Sequence, residues 1–353
     1  MRIAYIHPDA EGREKDAQTG FYPRNQLWGA DLLRERGHEV RTVQTKNTSG
    51  LISRIASLLN KLTRNRFGDF NIELQALKEL RKADILYVPS GHLFLLPLLR
   101  RLGFIKTKVV TWFFRLPESS RWWSLRNLRF SRYVLNGFDG ILCLTRQATT
   151  AFSGRTTKVP VKHLSWFADP KIFHSKPSDR SQGYFLCVGK TRRDYPTLLK
   201  ACSKVSAQFR IIAPDDAAQD TPIPENVQFV KTSENPPDAA ISYPELRNWY
   251  ASAKAILIPL TGDPDDTSGY TALLEAIAME KPVIMTRSGC LDIDIEYLGI
   301  GHYVPPKDSE AWALAINKML ESSTMSERAK SISKNQFTPS LFGDGLESFL
   351  ENI

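Results

Sequence analysis

The stretch AILIPLTGDPDDTSGYTALLEAIAMEKPVIMT, residues 255–286, indicates the class of fold more strongly than any other part of the chain. It contains a short apolar run, a polar loop, an apolar helical stretch that begins near Gly269, and a second apolar run that follows directly at Pro282. A strand, a helix and a strand in this order are typical of a βαβ unit in a parallel sheet. Ligands of such sheets bind beyond the carboxyl ends of the strands, so we look for chemistry in the loops that follow strands.

The same alternation continues through the rest of the chain. The predicted strands are 2–7, 39–43, 85–88, 108–114, 140–145, 161–165, 184–189, 209–213, 227–230, 255–260 and 282–286. The predicted helices are 22–36, 51–64, 70–82, 91–103, 124–136, 195–206, 243–252, 269–279, 308–322 and 340–351.

A polar stretch with two prolines, PKIFHSKPSDRSQ (170–182), separates these elements into two blocks of similar size. The pattern predicts an α/β protein with two Rossmann-like, doubly wound parallel-sheet domains that face a cleft. The expected boundaries are a first domain at 1–170, a linker at 171–182, a second domain at 183–335, and a C-terminal helix at 336–353 packing back toward the first domain.

The composition is that of an ordinary globular protein. The 353 residues are 42% hydrophobic and have a formal net charge of +9, which excludes a mainly disordered chain. The longest apolar run, 93–99, is far shorter than the ~20 residues that a helix needs to cross a bilayer, and no secretory signal is visible. We therefore expect a cytoplasmic protein.

The four cysteines are scattered and lack a C-x-x-C pair, so buried, reduced thiols are expected. The six histidines show no metal-ligand spacing. Neither a metal site nor a bound cofactor is predicted.

The residues before the helix 269–279 have two readings. An ordinary N-cap would explain Thr267 and Ser268. Gly269 and the free amides of Tyr270 and Thr271 would also form an anion site, suited to a phosphate or diphosphate.

Glu275 bears on the choice between these readings. It lies in ALLEAIAM, an apolar stretch where a lone carboxylate is costly unless a partner compensates it. Either a neighbouring Lys or Arg forms an ion pair with it, or it binds a hydroxyl group of a ligand beside the phosphate site.

Two further loops follow predicted strands. GKTRRDY (189–195) carries Lys190, Arg192 and Arg193 at the end of a strand, which suits either phosphate binding or a solvated basic loop. The glycine spacing of a P-loop is absent there, so an ATPase is not predicted. The loop after the first strand ends at Gly20, where a glycine would serve close ligand approach or a plain turn.

The segment SGYTALLEAIAMEKPVI (268–284) resembles the signature of the group 1, family 4-like glycosyltransferases, whose GT-B fold has two Rossmann-like domains. The family's order is kept over nearly the whole chain in RIAYIHPD (2–9), RGHEV (36–40), ILCLT (141–145), SWFADPKIF (165–173), VGKTRRDYPTLLKA (188–201), YPELRNWYASAKAILIPL (243–260) and HYVPPKD (302–308). The resemblance implies use of a sugar nucleotide.

Site residues follow from this resemblance. Glu275 corresponds to the second glutamate of the family's E-x7-E motif, which holds the donor ribose. Lys190 falls on a phosphate-binding arginine, and Arg192 or Arg193 would replace its companion lysine. The implied donor-binding residues are Gly20, Lys190, Arg192, Arg193, Asp266, Thr267, Ser268, Gly269, Tyr270, Thr271 and Glu275.

Two positions depart from the family's pattern. The first glutamate of the motif falls on Thr267, so Asp265 or Asp266 is the candidate replacement. A histidine often found after the fourth strand falls near Phe114. His92 is then the candidate catalytic residue, with a purely structural role as the alternative.

Much of the positive charge lies in the first domain. Nine basic residues and one acidic residue, Glu118, occur between 85 and 138, with aromatic residues among them. The segment LISRIASLLNKLTRNRF (51–67) has apolar residues at helical spacing and no acidic residue. Such helices suit an anionic membrane surface, although a core-facing helix with a solvated cationic face explains the pattern as well. Nucleic acid is not an expected partner, because no nucleic-acid motif accompanies the charge.

The sequence thus predicts a metal-independent, retaining glycosyltransferase that moves a sugar from a nucleoside-diphosphate sugar to a hydroxyl acceptor. The acceptor is expected to be a glycan or a lipid-linked molecule of surface polysaccharide or glycolipid synthesis, bound by the first domain, with peripheral membrane attachment. The alternatives are a catalytically impaired GT-B-like binding or regulatory protein, and a sugar-nucleotide epimerase.

Overall fold

The computed structural model describes residues 1–7, 12–43, 50–63, 67–89, 93–114, 128–214, 216–230, 241–263, 267–287, 289–321 and 325–353. The chain forms two compact units. The first unit comprises Met1–Gln18, Arg24–Trp166 and Pro339–Ile353, and the second unit comprises Thr19–Pro23 and Phe167–Thr338.

Each unit contains a six-stranded sheet. The strands of the first are β1 (Arg2–Tyr5), β2 (Glu39–Thr42), β3 (Ile85–Pro89), β4 (Lys108–Phe113), β5 (Gly140–Cys143) and β6 (Val161–His163), in the order β2-β1-β3-β4-β5-β6. The strands of the second are β7 (Tyr184–Val188), β8 (Phe209–Ile212), β9 (Val227–Phe229), β10 (Ala253–Ile258), β11 (Val283–Thr286) and β12 (Gly301–Val304), in the order β12-β11-β10-β7-β8-β9. All neighbouring strands within each sheet run parallel. The predicted α/β class with two doubly wound parallel sheets is confirmed.

Helices connect the strands. Those before residue 182 are α1 (Glu14–Gln18), α2 (Ala30–Glu35), α3 (Leu51–Thr63), α4 (Phe70–Glu79), α5 (Leu95–Arg101), α6 (Leu128–Leu135) and α7 (Arg146–Ser153). Those after it are α8 (Tyr195–Cys202), α9 (Tyr243–Ser252), α10 (Tyr270–Ala278), α11 (Ser309–Glu321), α12 (Met325–Asn335) and α13 (Pro339–Glu351). None of the described helices combines the length and the apolar character needed to cross a bilayer.

The second unit buries an apolar core between its sheet and the helices α8 and α11. Phe185 and Leu257 from the sheet pack with Leu199 of α8 and Trp312 of α11. Asp194 begins α8 as its N-cap, because its carboxylate accepts a hydrogen bond from the amide of Thr197 at 3.1 Å. The four cysteines of the chain are free and buried, as the sequence predicts.

The structure differs from the predicted elements in several places. The helix expected at 22–36 is a 3-10 turn, Arg24–Leu27, followed by α2, because Trp28 and Gly29 between them have φ angles of 53° and 88°. Strand β12 carries no prediction, since its sequence GHYV offers only two consecutive apolar side chains. Helices α1, α7 and α12 also lie outside the predicted set.

The segment 171–182, expected to be a linker, is grouped with the second unit. Arg247 of α9 holds it in place by pairing with Asp179 and by donating to the carbonyl of His174 at 2.7 Å. The last helix, α13, is grouped with the first unit, where Arg36 pairs with Asp344 at 2.7 Å.

Glu73 of α4 is fully buried in the first unit, and it holds the start of α5. Its carboxylate accepts hydrogen bonds from the backbone amides of Phe94 at 3.0 Å and Leu96 at 2.8 Å. Burial raises the pKa of Glu73 to about 8, although the amide hydrogen bonds act in the opposite direction. The residue therefore anchors the end of the loop that follows β3.

This raised pKa predicts a dependence of stability on pH. The folded state holds the proton more tightly than the unfolded state, so the contribution of Glu73 is complete below the unfolded pKa, about 4.5, and is lost as the pH rises toward 8. We expect Glu73→Gln to remove most of the fall in the urea midpoint between these limits. Glu79→Gln, on the same helix, is the control and should leave the fall unchanged. An equal slope in the wild type and in Glu73→Gln would contradict this role.

Candidate functional site

Two of the predicted loops adjoin at one edge of the second sheet. Strands β7 and β10 are parallel neighbours, so their carboxyl ends lie side by side. The amide of Thr261 donates to the carbonyl of Arg192 at 3.2 Å, and the amide of Asp194 donates to the carbonyl of Pro259 at 3.1 Å. The basic loop 189–195 therefore lies against the start of the loop that leads from β10 to α10.

The N-terminus of α10 has no side-chain cap. Gly269 occupies the N-cap position, which is therefore held by neither Thr267 nor Ser268. The sequence predicts two free amides here, those of Tyr270 and Thr271. In the structure the amide of Tyr270 donates to the carbonyl of Thr267 at 3.3 Å, whereas the amide of Thr271 makes no such turn hydrogen bond to a described residue. The first turn of a helix offers amides and a partial positive charge, which together favour an anion.

Gly269 also brings α10 close to the sheet. Its φ angle is 87°, and a β-carbon at this position would lie 2.8 Å from Cγ2 of Ile258 and 3.2 Å from Cε of Met285. A side chain would thus clash with Ile258 of β10 and crowd Met285 of β11. The start of the helix depends on glycine for both its conformation and its packing.

Glu275 is buried in α10, with 6% of its surface exposed. Its Oε2 accepts a hydrogen bond from the hydroxyl of Tyr250 at 2.9 Å, and no ion pair joins it to any other described residue. Burial raises the pKa of Glu275 to about 7, while the Tyr250 hydrogen bond and the charge of Arg193 lower it. The ion-pair alternative that the sequence left open is therefore not realised among the described residues.

The three cations of the basic loop have different surroundings. Arg192 pairs with Asp263, which occupies its charge. Arg193 turns back over Gly189 and donates to the carbonyls of Thr191 at 2.9 Å and Val188 at 3.3 Å. Its Nε is buried without a hydrogen-bond partner in the described structure.

Lys190 is exposed and makes no hydrogen bond or ion pair with a described residue. Neither Lys190 nor Arg193 forms an ion pair with a described carboxylate, so both charges could interact with an anion. Arg192 is less suited to this role than the sequence alone suggests, because Asp263 neutralises it.

Gly20 has a φ angle of 80°, and a β-carbon there would meet no atom within 4 Å. Its segment, Thr19–Pro23, belongs to the second unit, where the ring of Tyr22 meets that of Tyr243 edge-on at 5.7 Å. The positive φ angle of this turn favours glycine, and no described atom crowds the position of its β-carbon.

Two predicted site residues, His92 and Asp266, lie outside the described residues. Phe114 lies in the sequence near the position where the family often has a histidine. Its ring stacks on that of Trp28, with 4.5 Å between the ring centroids. It contributes to an aromatic cluster of the first unit that also contains Trp112 and Trp166.

Sequence reasoning missed Tyr250 and Glu73. Tyr250 is fully buried, 25 residues away from its partner Glu275, and the pattern NWYASA offers no sign of that pairing. Glu73 had a usable signal, since it occupies a core-facing position of α4 just as Glu275 does in α10. One cluster of possible metal ligands occurs among the described residues, His38 with Glu347 and Glu351, but Glu347 already pairs with Arg36 and His38.

Comparison with known proteins finds a family match within the second half of the chain. Residues 149–322 match the family model described as glycosyl transferases, group 1. The search of curated proteins found no match.

Solved structures resemble the whole chain. Sucrose-phosphate synthase from Thermosynechococcus elongatus is 14% identical, with a TM-score of 0.66, and the match covers 100% of this chain and 98% of that one. HepE from Anabaena, solved with UDP and glucose, is 14% identical with a TM-score of 0.64 and covers 100% of both chains. WaaG, a glycosyltransferase of lipopolysaccharide biosynthesis, is 15% identical with a TM-score of 0.62, covering 98% of this chain and 99% of that one. At this identity the likeness establishes the GT-B fold.

Proposed function

We propose that this chain, whose residues 149–322 match the group 1 glycosyltransferase family model, transfers a sugar from a nucleoside-diphosphate sugar to a hydroxyl acceptor. The donor binds to the second unit, beside the N-terminus of α10. Among the solved structures of the same fold, HepE holds UDP-glucose, which supports a uracil nucleotide as the first donor to examine.

The observation that carries this proposal is the buried carboxylate of Glu275. Only the hydroxyl of Tyr250 donates to it among the described residues, and that bond uses Oε2. A carboxylate removed from water is costly unless hydrogen bonds compensate it, so Oε1 is suited to a hydroxyl pair from outside the chain. The ribose of a nucleotide supplies such a pair next to its diphosphate.

The charges of the site suit departure of the diphosphate. Negative charge accumulates on the leaving diphosphate as the bond to the sugar breaks. Lys190, Arg193 and the amides in the first turn of α10 provide fixed positive charge and hydrogen-bond donors at one edge of the sheet. Their stabilisation of the leaving group lowers the barrier to transfer.

The reaction is proposed to retain the configuration of the sugar and to need no metal ion, as the family resemblance implies. The acceptor is proposed to be a glycan or a lipid-linked molecule, bound by the first unit. The glycosylated acceptor would become part of a surface polysaccharide or a glycolipid.

The test is a binding screen across nucleoside diphosphates, followed by turnover of the matching sugar nucleotides with and without a chelator. We expect one diphosphate to bind, and the double variant Lys190→Ala, Arg193→Ala to bind it at least about 100-fold more weakly, because each charge-assisted contact contributes roughly 1.5–3 kcal/mol. The control is Lys200→Ala, an exposed cation at the end of α8. Absence of binding to every diphosphate would refute the donor site, and formation of an epimeric sugar nucleotide without any acceptor would indicate an epimerase.

A further inference from the structure

Helix α3 presents its apolar stripe to solvent. Ile55, Leu58 and Leu62 lie on one face of the helix and are 46%, 58% and 70% exposed. The face that turns inward carries Ala56, which is fully buried, and the half-buried Leu59. An ordinary core-facing helix buries its apolar stripe. The stripe of α3 therefore remains without a covering among the described residues.

A groove continues this apolar surface toward α4. It has a volume of about 620 Å³ and is lined by Ile55, Leu74, Leu77, Lys78 and Arg81. Its walls are aliphatic, and both of its charged residues are basic and exposed.

The charge around the stripe is positive. Arg54, Lys61, Lys78 and Arg81 are exposed and form no ion pair with a described residue. Two acidic side chains lie in α4. Glu73 is buried against the start of α5, and Glu79 lines a different pocket, together with Arg41 and Lys82. Asp69, just before the helix, accepts from the amide of Asn71 at 2.9 Å.

Aromatic rings extend the surface from the end of α3 to α6. Phe67 contacts Phe94 with 4.7 Å between centroids, and Phe94 contacts Phe130 at 5.8 Å. In the same unit, Phe104 and Tyr133 are 77% and 40% exposed, and Arg101 lies over the ring of Tyr133 at 5.5 Å. Exposed aromatic residues beside cations are typical of proteins that enter the headgroup region of a bilayer.

We propose that this surface, which we call the α3 face and define by Ile55, Leu58, Leu62, Arg54 and Lys61, docks on an anionic phospholipid bilayer. Helix α3 would lie in the plane of the interface, with its stripe among the acyl chains and its cations at the headgroups. A second copy of the chain is disfavoured as the partner, because a two-fold contact would bring these cations opposite one another. The proposal rests on the proposed function only in placing the enzyme where a lipid-linked acceptor is presented.

The test is flotation of the full chain with vesicles of phosphatidylglycerol and phosphatidylcholine, compared with vesicles of phosphatidylcholine alone. We expect flotation with the anionic vesicles, weakened by salt. Arg54→Gln with Lys61→Gln should lower the partition coefficient about fivefold per cation, the equivalent of about 1 kcal/mol each. Leu58→Gln with Leu62→Gln should lower it at least about tenfold, because both side chains leave the acyl region.

Matched controls are available in the second unit. Leu314→Gln removes a leucine that is 58% exposed, and Lys200→Gln removes an exposed cation; neither should change flotation. Because all these positions are exposed, the urea midpoint should stay constant across the set. Absence of flotation, equal flotation of all variants, or a concentration-dependent dimer lost in the α3 variants would each overturn the proposal. Nucleoside diphosphate affinity, measured on the same variants, should not change, so failure of docking is distinguishable from failure of the donor site.

Discussion

Replacing Glu275 with alanine is expected to weaken the binding of the nucleoside diphosphate about 100-fold while the chain stays folded. The carboxylate would accept hydrogen bonds from two ribose hydroxyls, and a bond to a charged group contributes roughly 1.5–3 kcal/mol. Titration calorimetry measures the affinity, and urea unfolding checks the fold. Alanine leaves the buried hydroxyl of Tyr250 without its acceptor, so we expect the urea midpoint to fall by the equivalent of about 1–3 kcal/mol while unfolding remains cooperative.

The pH dependence of binding provides a sharper version of this test. The ribose hydroxyls donate to the carboxylate, so binding favours the deprotonated form, and affinity should rise as the pH increases through about 7. Glu275→Gln should remove this part of the dependence, which separates it from titration of the diphosphate itself. The matched variant is Tyr250→Phe, which keeps the carboxylate but deletes the hydrogen bond that lowers its pKa. Its affinity curve should shift to higher pH.

An affinity for Glu275→Ala within twofold of the wild type would remove Glu275 from the donor site. The same conclusion would follow if Glu275→Gln and the wild type gave parallel pH curves. Loss of the cooperative unfolding transition in Glu275→Ala would instead make Glu275 a structural residue whose partner is Tyr250 alone.

The strands other than β12 were predictable, because most of them are short apolar runs bounded by polar turns. Residues 255–286 show this best, since β10, α10 and β11 occur in the predicted order. Ligands of parallel sheets bind at the carboxyl ends of the strands, and this rule singled out the two loops that contain Arg192 and Thr261. These two residues are hydrogen-bonded to each other in the structure. These features depend on local pattern and on the geometry common to parallel sheets.

Helix α3 shows where a local pattern is insufficient. Its periodicity indicates a helix correctly, but Ala56 and Leu59 on one side and Ile55, Leu58 and Leu62 on the other are all apolar. Which side faces the core depends on the shape of α4, and the small side chain of Ala56 packs closely while the larger stripe does not. Which face of α3 is buried is therefore decided by tertiary packing.

The sequence also could not predict which cation of the site is neutralised by an ion pair. In the sequence, Arg192 and Arg193 are equivalent substitutes for one lysine. In the structure, Asp263, 71 positions from Arg192, forms an ion pair with Arg192 and does not pair with Arg193. Similarly, Tyr250 and Glu275 are joined only because α9 and α10 both pack beside β10. Contacts between residues far apart in the chain carry no signature in either segment.

The second large effect is expected at Gly269. Gly269→Ala should lower the free energy of unfolding by roughly 2–5 kcal/mol, because two costs combine at this position. An alanine held at a φ of 87° loses about 1–2 kcal/mol, and overpacking a well-filled site costs about 1–3 kcal/mol. The new methyl group would lie 2.8 Å from Ile258 Cγ2 and 3.2 Å from Met285 Cε, both on buried strands that yield little. Urea unfolding measures the loss.

Gly183→Ala separates the two costs. Gly183 is an exposed residue of the same unit with a φ of 81°, and a β-carbon there meets no atom within 4 Å, so only the conformational cost applies. We expect this variant to lose about 1–2 kcal/mol and to keep its affinity for the nucleoside diphosphate. Gly269→Ala should lose more, and it should also bind the diphosphate less tightly, because relief of the clash moves the first turn of α10 away from the sheet edge where Lys190 and Arg193 lie. Equal losses in the two variants would mean that α10 accommodates the methyl group, and unchanged affinity in Gly269→Ala would mean that its first-turn amides do not contact the diphosphate.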